Sequence, residues 1–318
     1  TLLSAAVSLP LALLTWLRVK LTGKPNLIYI RRSDLAVGFV QLRATAERTI
    51  VKIPALVEDE ARALLVDRFD RYVLAKARCI AVPSPLLLGH LLLRRRVRPR
   101  RVVLMPPGIS REKILKVRRP RREHGGRDCY VVGFLGLLAW WQGADLLVQA
   151  VARLRGRLDK PVKLLMVGDG PERKRVERLC KELGVECTIT GFVEHEEALE
   201  LLSSFDVLVL PSRRTSTTES NIPIKVIEAW ALGVPVVATR HQVFLAQGYK
   251  DGEDIVYCEP NPESIAEAIT KVLTSSELYD KLSRKGIENS RKYDYLMIAK
   301  TLIDNVHFTS KSSNAQSS

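Results

Sequence analysis

The sequence predicts an α/β fold with parallel sheets, and three observations carry that prediction. Short runs rich in Val, Ile and Leu alternate along the chain with longer stretches of helical period, the pattern of strands joined by crossover helices. Gly, Pro and Asp cluster where those runs end. The length, 318 residues, suffices for two domains with separate cores, and 46% hydrophobic with 27% charged residues is the balance of a globular chain.

The first half is the less regular. Thr1 to Leu17 is uncharged and is followed by Arg18, Lys20 and Lys24. With Pro10 inside it, this run is marginal for a membrane span, and its charges follow the apolar stretch, the wrong order for a signal peptide. The expectation is a helix that packs on the N-terminal domain and dips into a membrane interface. The chain does not begin with Met, so a start further upstream is also expected. Asn26–Arg31 and Thr49–Ile53 read as buried strands. Glu58–Ala77 reads as a helix, with apolar positions at Ala61, Leu64, Leu65, Phe69, Val73 and Leu74. Cys79–Val82 and Arg101–Met105 read as short strands. From Lys116 to Arg127 the chain is charged, without apolar period, and reads as a linker. The first domain is therefore expected over residues 1–120.

The second half alternates cleanly. Strands are expected at Tyr130–Gly136, Val162–Val167, Glu186–Thr190, Asp206–Leu210, Pro235–Thr239 and Asp254–Tyr257. Helices are expected at Gly143–Leu154, from Pro171 to Leu183, at Glu196–Ser204, Pro223–Leu232, Pro262–Leu273 and Glu277–Tyr293. This second domain covers residues 128–294. A last helix over 295–308 follows, and the polar stretch 309–318 is expected to be disordered.

Charge separates the halves. Residues 1–125 hold 26 Lys and Arg against 9 Asp and Glu, a balance of +17, whereas the remainder balances at −2. The densest runs are Arg94, Arg95, Arg96, Arg98, Arg100, Arg101 and Lys116, Arg118, Arg119, Arg121, Arg122. The excess belongs to one surface and suits an anionic membrane, a phosphorylated acceptor or a solvated face. No aromatic residues interleave these runs, which argues against nucleic acid as the partner. Five scattered cysteines argue against a disulfide framework. His90, His124, His195, His241 and His307 show no ligand spacing, so no metal is inferred.

In a parallel sheet, ligands bind beyond the carboxyl ends of the strands, where helix N-termini present free N–H groups. Four loops leave such ends: Gly136–Gly143, Gly168–Pro171, Pro211–Pro223 and the stretch after Thr239. None carries a dinucleotide or Walker-type fingerprint. The third is the most informative. Pro223 suits a helix start, Ser220 and Asn221 can cap, and Lys225 and Glu228, three apart, share a helical face. Glu228 can accept hydrogen bonds from ribose hydroxyls, and Lys225 can neutralise phosphate. An ordinary surface Lys–Glu pair would have the same spacing.

The assembled strings decide between these readings. TESNIPIKVIEAWALGVPVVAT, GFLGLLAWWQGADLLVQAVARL and LLMVGDGPERKRVERLCKELGVECTITGFVEHEEALELLSSFDVLVLPS resemble the retaining family-4 (group 1) glycosyltransferases. CIAVPSPLLL and VLMPPGIS resemble the last strands of that family's N-terminal domain. The resemblance implies a GT-B fold, two facing Rossmann-like domains with parallel sheets, and a final helix that crosses back to the first. It implies transfer of a hexosyl group from a UDP- or GDP-sugar to a glycan or lipid-linked hydroxyl with retention, without a metal or other cofactor. The scattered cysteines suit a reducing compartment, so a cytoplasmic protein is expected, and the basic half suits peripheral contact with the cytoplasmic face of a membrane.

In that family, two glutamates with seven residues between them contact the donor. Glu228 matches the ribose-side one. The sugar-side position falls on Ser220, with Glu219 one residue off. An Arg and a Lys usually bind the donor diphosphate, where this chain has Leu137 and Gln142. Each lost charged hydrogen bond is worth about 1.5–3 kcal/mol. The expected catalytic set is thus Glu219, Ser220 and Lys225, with Lys225 and the helix start at Pro223 replacing the missing charges. Gly136, Gln142, Gly168, Asp169, Phe192, Asn221, Ile222, Pro223, Glu228 and His241 form the expected donor pocket. Arg31 and Lys52 are expected on the acceptor side, and Glu58, Asp59 and Glu60 most simply stabilise a helix N-terminus. Two other readings use the same fold: a nucleotide-sugar epimerase, which needs no acceptor, and a binding module that has lost catalysis at Leu137, Gln142 and Ser220.

Overall fold

The computed structural model describes residues 2–22, 28–31, 33–53, 71–93, 98–117 and 128–307. The readings placed on Lys24, on residues 58–70 of the expected Glu58–Ala77 helix with Glu58, Asp59 and Glu60, on Arg94, Arg95 and Arg96, on the linker at 118–127 and on the tail at 309–318 lie outside the described residues. The described chain divides into two units. One holds residues up to Pro106 together with those from Ile298 onward, and the other runs from Pro107 to Met297.

The first unit is built on four parallel strands in sequential order: β1 (Ile28–Ile30), β2 (Thr49–Lys52), β3 (Cys79–Val82) and β4 (Val102–Leu104). β3 is buried at every position because apolar side chains cover both faces. Ile80 and Val82 pack with Ala36, Val40, Val73, Leu87 and Leu91, whereas Cys79 and Ala81 pack with Ile50, Val103 and Leu302. Leu302 lies on the last helix, Tyr295–His307. Two-sided burial is what a continuous apolar run such as Cys79–Val82 encodes.

Several helices escaped the sequence reading. Ser33–Gln41 is one of them. Pro85–Leu93 carries leucines on every side, interrupted only by Gly89 and His90, and so shows no clear period. Pro85 fits the first turn, and Ser84 Oγ accepts the Leu87 N–H at 3.1 Å as a cap. Arg111–Lys116, which belongs to the second unit, is capped by Ser110 Oγ, which accepts from Lys113 N. The helix Leu2–Thr22 packs on Ser33–Gln41. It buries Ala12 and Val19 but exposes Leu11, Leu14 and Leu21. Among the described residues no helix is long and apolar enough to cross a membrane.

The second unit holds six parallel strands: β5 (Tyr130–Leu135), β6 (Val162–Val167), β7 (Cys187–Ile189), β8 (Val207–Leu210), β9 (Val236–Thr239) and β10 (Val256–Cys258). Their order is β10-β9-β8-β5-β6-β7. The chain runs outward from β5 to β7, then returns to the other side of β5 with β8. Connections leaving β5 and β8 therefore diverge and open a crevice between the loops that follow them. That reversal point is where open α/β sheets hold their ligands.

One expected loop is partly helical. Within Pro211–Ile222 a turn of helix forms at Ser216–Ser220. Thr215 and Thr218 close it as a capping pair: Thr215 Oγ1 accepts from Thr218 N at 3.2 Å, and Thr218 Oγ1 accepts from Thr215 N at 2.9 Å. The following helix is Ile224–Ala231, with Pro223 at its N-cap and no side-chain cap bond. Ser220 closes the preceding helical turn, where its hydroxyl donates to Thr217 O at 3.0 Å.

Candidate nucleotide-sugar site

The floor of the crevice is glycine backbone. Gly136 ends β5 with φ 134°, and Gly168 ends β6 with φ 135°, a region that L side chains rarely adopt. Gly136 N donates to Val167 O at 2.9 Å, drawing the two strand ends together. A Cβ on Gly168 would lie 2.1 Å from Gly136 O, and one on Gly170 would lie 2.4 Å from Leu138 O. Only hydrogen fits at either position. Gly168→Ala is accordingly expected to destabilise the second unit by more than about 2 kcal/mol, since strain and a backbone clash add. Chemical denaturation followed by tryptophan fluorescence would measure it.

Above this floor stands Lys225. Its Nζ donates to Gln142 Oε1 at 3.0 Å, lies 5.1 Å from the centre of the Phe134 ring, and would sit 2.9 Å from a Cβ on Gly136. The expected Lys225–Glu228 proximity is not used as an ion pair: Lys225 turns to the β5 loop. Burial pushes its ammonium down to about 8, because few partners replace its lost water. Gln142, read as a lost diphosphate contact, thus holds the cation that stands over the same glycine.

Glu228, one turn further along, is buried at 6% exposure. Its Oε1 accepts from His195 Nε2 at 2.7 Å. A carboxylate can only accept, so this bond fixes the proton on Nε2. His195 begins the helix His195–Ser203, which follows β7. Sequence reading left His195 unassigned. Its place just beyond the carboxyl end of a strand was the available signal.

A second histidine holds the second glutamate. Glu219 Oε1 lies 3.3 Å from His241 Nδ1, its Oε2 accepts the Gln242 N–H, and Arg214 Nε approaches Oε1 at 4.0 Å. His241 is 2% exposed, and its Nε2 lies 2.7 Å from Ser212 Oγ. Burial pushes the His241 pKa down, opposed by the hydrogen bond to Glu219. The neutral ring then donates from Nδ1 to Glu219 and accepts from Ser212. Glu219 in this way caps the helix Gln242–Ala246, which has no cap of its own at His241.

A buried ion pair ties the β5 loop to the β8 loop. Asp145, 5% exposed, opens the helix Ala144–Ala152. It receives both Arg213 nitrogens at 2.9 and 2.8 Å and Arg175 at 3.2 Å. Burial alone would raise the Asp145 pKa, but the Arg213 guanidinium holds it below the ordinary carboxylate range. Arg213 also donates to Trp140 O at 2.6 Å and stacks 4.8 Å from the Trp140 ring centre.

The structure therefore gathers Gly136, Gln142, Gly168, Lys225 and Glu228 around the switch point. Asp169 accepts from Gly170 N at 2.7 Å and pairs with Arg173 at 2.8 Å. Phe192 projects at 83% exposure after β7. Pro223 starts the Lys225 helix, Ile222 is buried beside it, and Asn221 precedes both. Glu219, His241 and Ser212 form a hydrogen-bonded cluster, and Ser220 follows Glu219 with its hydroxyl donating to Thr217 O. In the first unit, Arg31 and Lys52 follow or end the adjacent parallel strands β1 and β2. Burial lowers the Lys52 pKa, and the Arg31 charge adds to the effect.

Two parallel-sheet units, one doubly wound with its site at the switch point, define a GT-B fold, and known structures agree. Sucrose-phosphate synthase from Thermosynechococcus elongatus superposes with a TM-score of 0.72 at 22% identity, over 96% of this chain and 78% of that one. Anabaena HepE, solved with UDP, gives 0.73 at 17% identity over 92% and 81%. The model of glycosyl transferases group 1 matches residues 119–293, and the chain belongs to that family. Among curated relatives, the D-inositol 3-phosphate glycosyltransferase of Corynebacterium urealyticum is 28% identical over 225 residues, 64% of this chain and 50% of that protein. The lipopolysaccharide core biosynthesis glycosyltransferase LpsE of Rhizobium meliloti is 30% identical over 165 residues, 51% and 44%. The chain spans about half the length of these relatives.

Proposed function

We propose that the protein transfers a hexosyl group from a UDP- or GDP-sugar to a hydroxyl of a glycan or lipid-linked acceptor, with retention. The observation that carries this reading is the meeting of Lys225, Glu228 and the Gly136–Gly168 floor at one switch point. The ribose hydroxyls donate to Glu228, and the diphosphate lies over Gly136 against the Lys225 ammonium. As the sugar C1–O bond to the diphosphate breaks, negative charge grows on the leaving oxygen. A preorganised cation and the N–H groups at the start of Ile224–Ala231 stabilise that charge. Charged hydrogen bonds that strengthen as the charge grows lower the barrier, because they act on the transition state more than on the bound donor.

Arg31 and Lys52 supply positive charge for a phosphate-bearing acceptor. The leucine-lined helix Leu2–Thr22, with Arg18 and Lys20 at its end, docks the enzyme on an anionic membrane surface. Salt-sensitive binding to anionic liposomes is its signature; binding indifferent to salt and lipid charge contradicts it.

The test is donor turnover by the full chain with and without acceptor lipid or glycan extracts, using UDP- and GDP-hexoses. Acceptor-dependent release of nucleoside diphosphate, with a glycosylated product of retained anomeric configuration, is expected. Sugar interconversion without acceptor would replace this reading with an epimerase, and nucleotide binding without turnover would leave a binding module.

A further inference from the structure

We infer that His195 is a positioning residue that presets Glu228 for the donor ribose. This inference rests on the reading of Glu228 as the ribose ligand. The carboxylate of Glu228 is nearly buried, with 7% side-chain exposure, whereas the His195 side chain is 66% exposed. They meet at 2.7 Å across elements that follow different strands: His195 comes after β7 and Glu228 lies on the helix after β8. A buried carboxylate without a donor would be costly. His195 supplies that donor from the solvent side, at the mouth of the crevice.

The bond uses one oxygen, Oε1, and fixes the plane and rotamer of the carboxyl group. The other oxygen is left for a second donor. Two ribose hydroxyls need acceptors in a defined orientation, and a Glu side chain free about three torsions would lose that freedom only on binding. Holding it beforehand moves that ordering cost into folding. The helix of Glu228 cannot supply this restraint itself, because Lys225, its neighbour one turn away, is turned to Gln142. His195 touches the carboxylate and acts on the nucleotide through it.

Binding of UDP and GDP, each compared with its 2′,3′-dideoxy counterpart, separates the two layers of the claim. Wild-type protein is expected to prefer the ribose form of whichever nucleotide it binds by at least tenfold. Glu228→Ala should abolish that preference. His195→Ala should cut it at least threefold while leaving affinity for the dideoxy form within twofold, and His195→Gln, whose Nε2 can still donate, should restore most of it. If Glu228→Ala keeps the preference, or if neither nucleotide binds the wild type, the ribose reading itself fails. If Glu228→Ala loses the preference and His195→Ala keeps it, the inference about His195 alone is overturned. Equal weakening of ribose and dideoxy forms in His195→Ala also overturns it, since that marks a general structural defect.

Discussion

Lys225→Met is expected to weaken nucleoside diphosphate binding about tenfold to hundredfold while making the unliganded protein more stable. The two effects have one origin. The Lys225 ammonium is desolvated without a carboxylate partner and meets the Gln142 amide oxygen and the Phe134 ring face instead. Its pKa falls from 10.5 to about 8. The unfolded chain therefore holds this proton more tightly than the folded one. Between pH 8 and 10.5 the unfolded state binds more protons, so this group makes stability rise with pH across that window and imposes its full cost below it. A shift of that size corresponds to about 3 kcal/mol at neutral pH, which Met at the same position would recover. A diphosphate supplies the missing counter-charge, and one charged hydrogen bond contributes about 1.5–3 kcal/mol of affinity. Wild-type affinity for UDP or GDP should decline as pH rises above about 8, and the Met variant should show no such decline. Calorimetric titration over pH 6.5–9.5, paired with thermal unfolding, reads both signs. Unchanged affinity in the variant would remove Lys225 from the diphosphate site.

The second large effect is structural. Asp145→Ala is expected to cost about 3 kcal/mol, because removing one partner of a buried ion pair leaves the other uncompensated. Asp145 is 6% exposed at its side chain and Arg213 19%, so water reaches neither freely. For a unit of this size that is a fall of about 6–12 °C in the unfolding midpoint. Arg213 also fastens Trp140 O, so the loops after β5 and β8 should loosen together and nucleotide affinity should fall. The double variant Asp145→Leu/Arg213→Met should regain much of the stability but not the affinity. If the single variant melts like wild type, the pair does not fasten the loops.

The second unit was legible because its strands are short apolar runs with glycine or proline at their carboxyl ends. Gly136, Gly168 and Pro211 each follow such a run and mark the crevice loops in the sequence. The ribose role expected of Glu228 came from the resemblance of the string around it to the family, because Lys–Glu spacing alone fits an ordinary surface pair equally well. Side-chain destinations could not be read. Lys225 and Glu228 are three residues apart, yet one reaches across to Gln142 and the other to His195, because the choice depends on loops distant in sequence. The Glu219 carboxylate meets His241 and the Gln242 N–H, a tertiary contact no spacing reveals. Asp145 and Arg213, 68 residues apart, left no local signal either. In the first unit, the helix Pro85–Leu93 was hidden because leucines on every side of it leave no period.

The central claim is that a nucleoside diphosphate sits at the β5–β8 switch point with its ribose on Glu228 and its phosphates by Lys225. A crystal structure of the protein saturated with UDP or GDP tests it most directly. The expected result places a ribose hydroxyl within hydrogen-bond distance of Glu228 and a phosphate oxygen within reach of Lys225 Nζ over Gly136. A nucleotide bound elsewhere, or at the switch point with its ribose turned away from Glu228, would contradict the account.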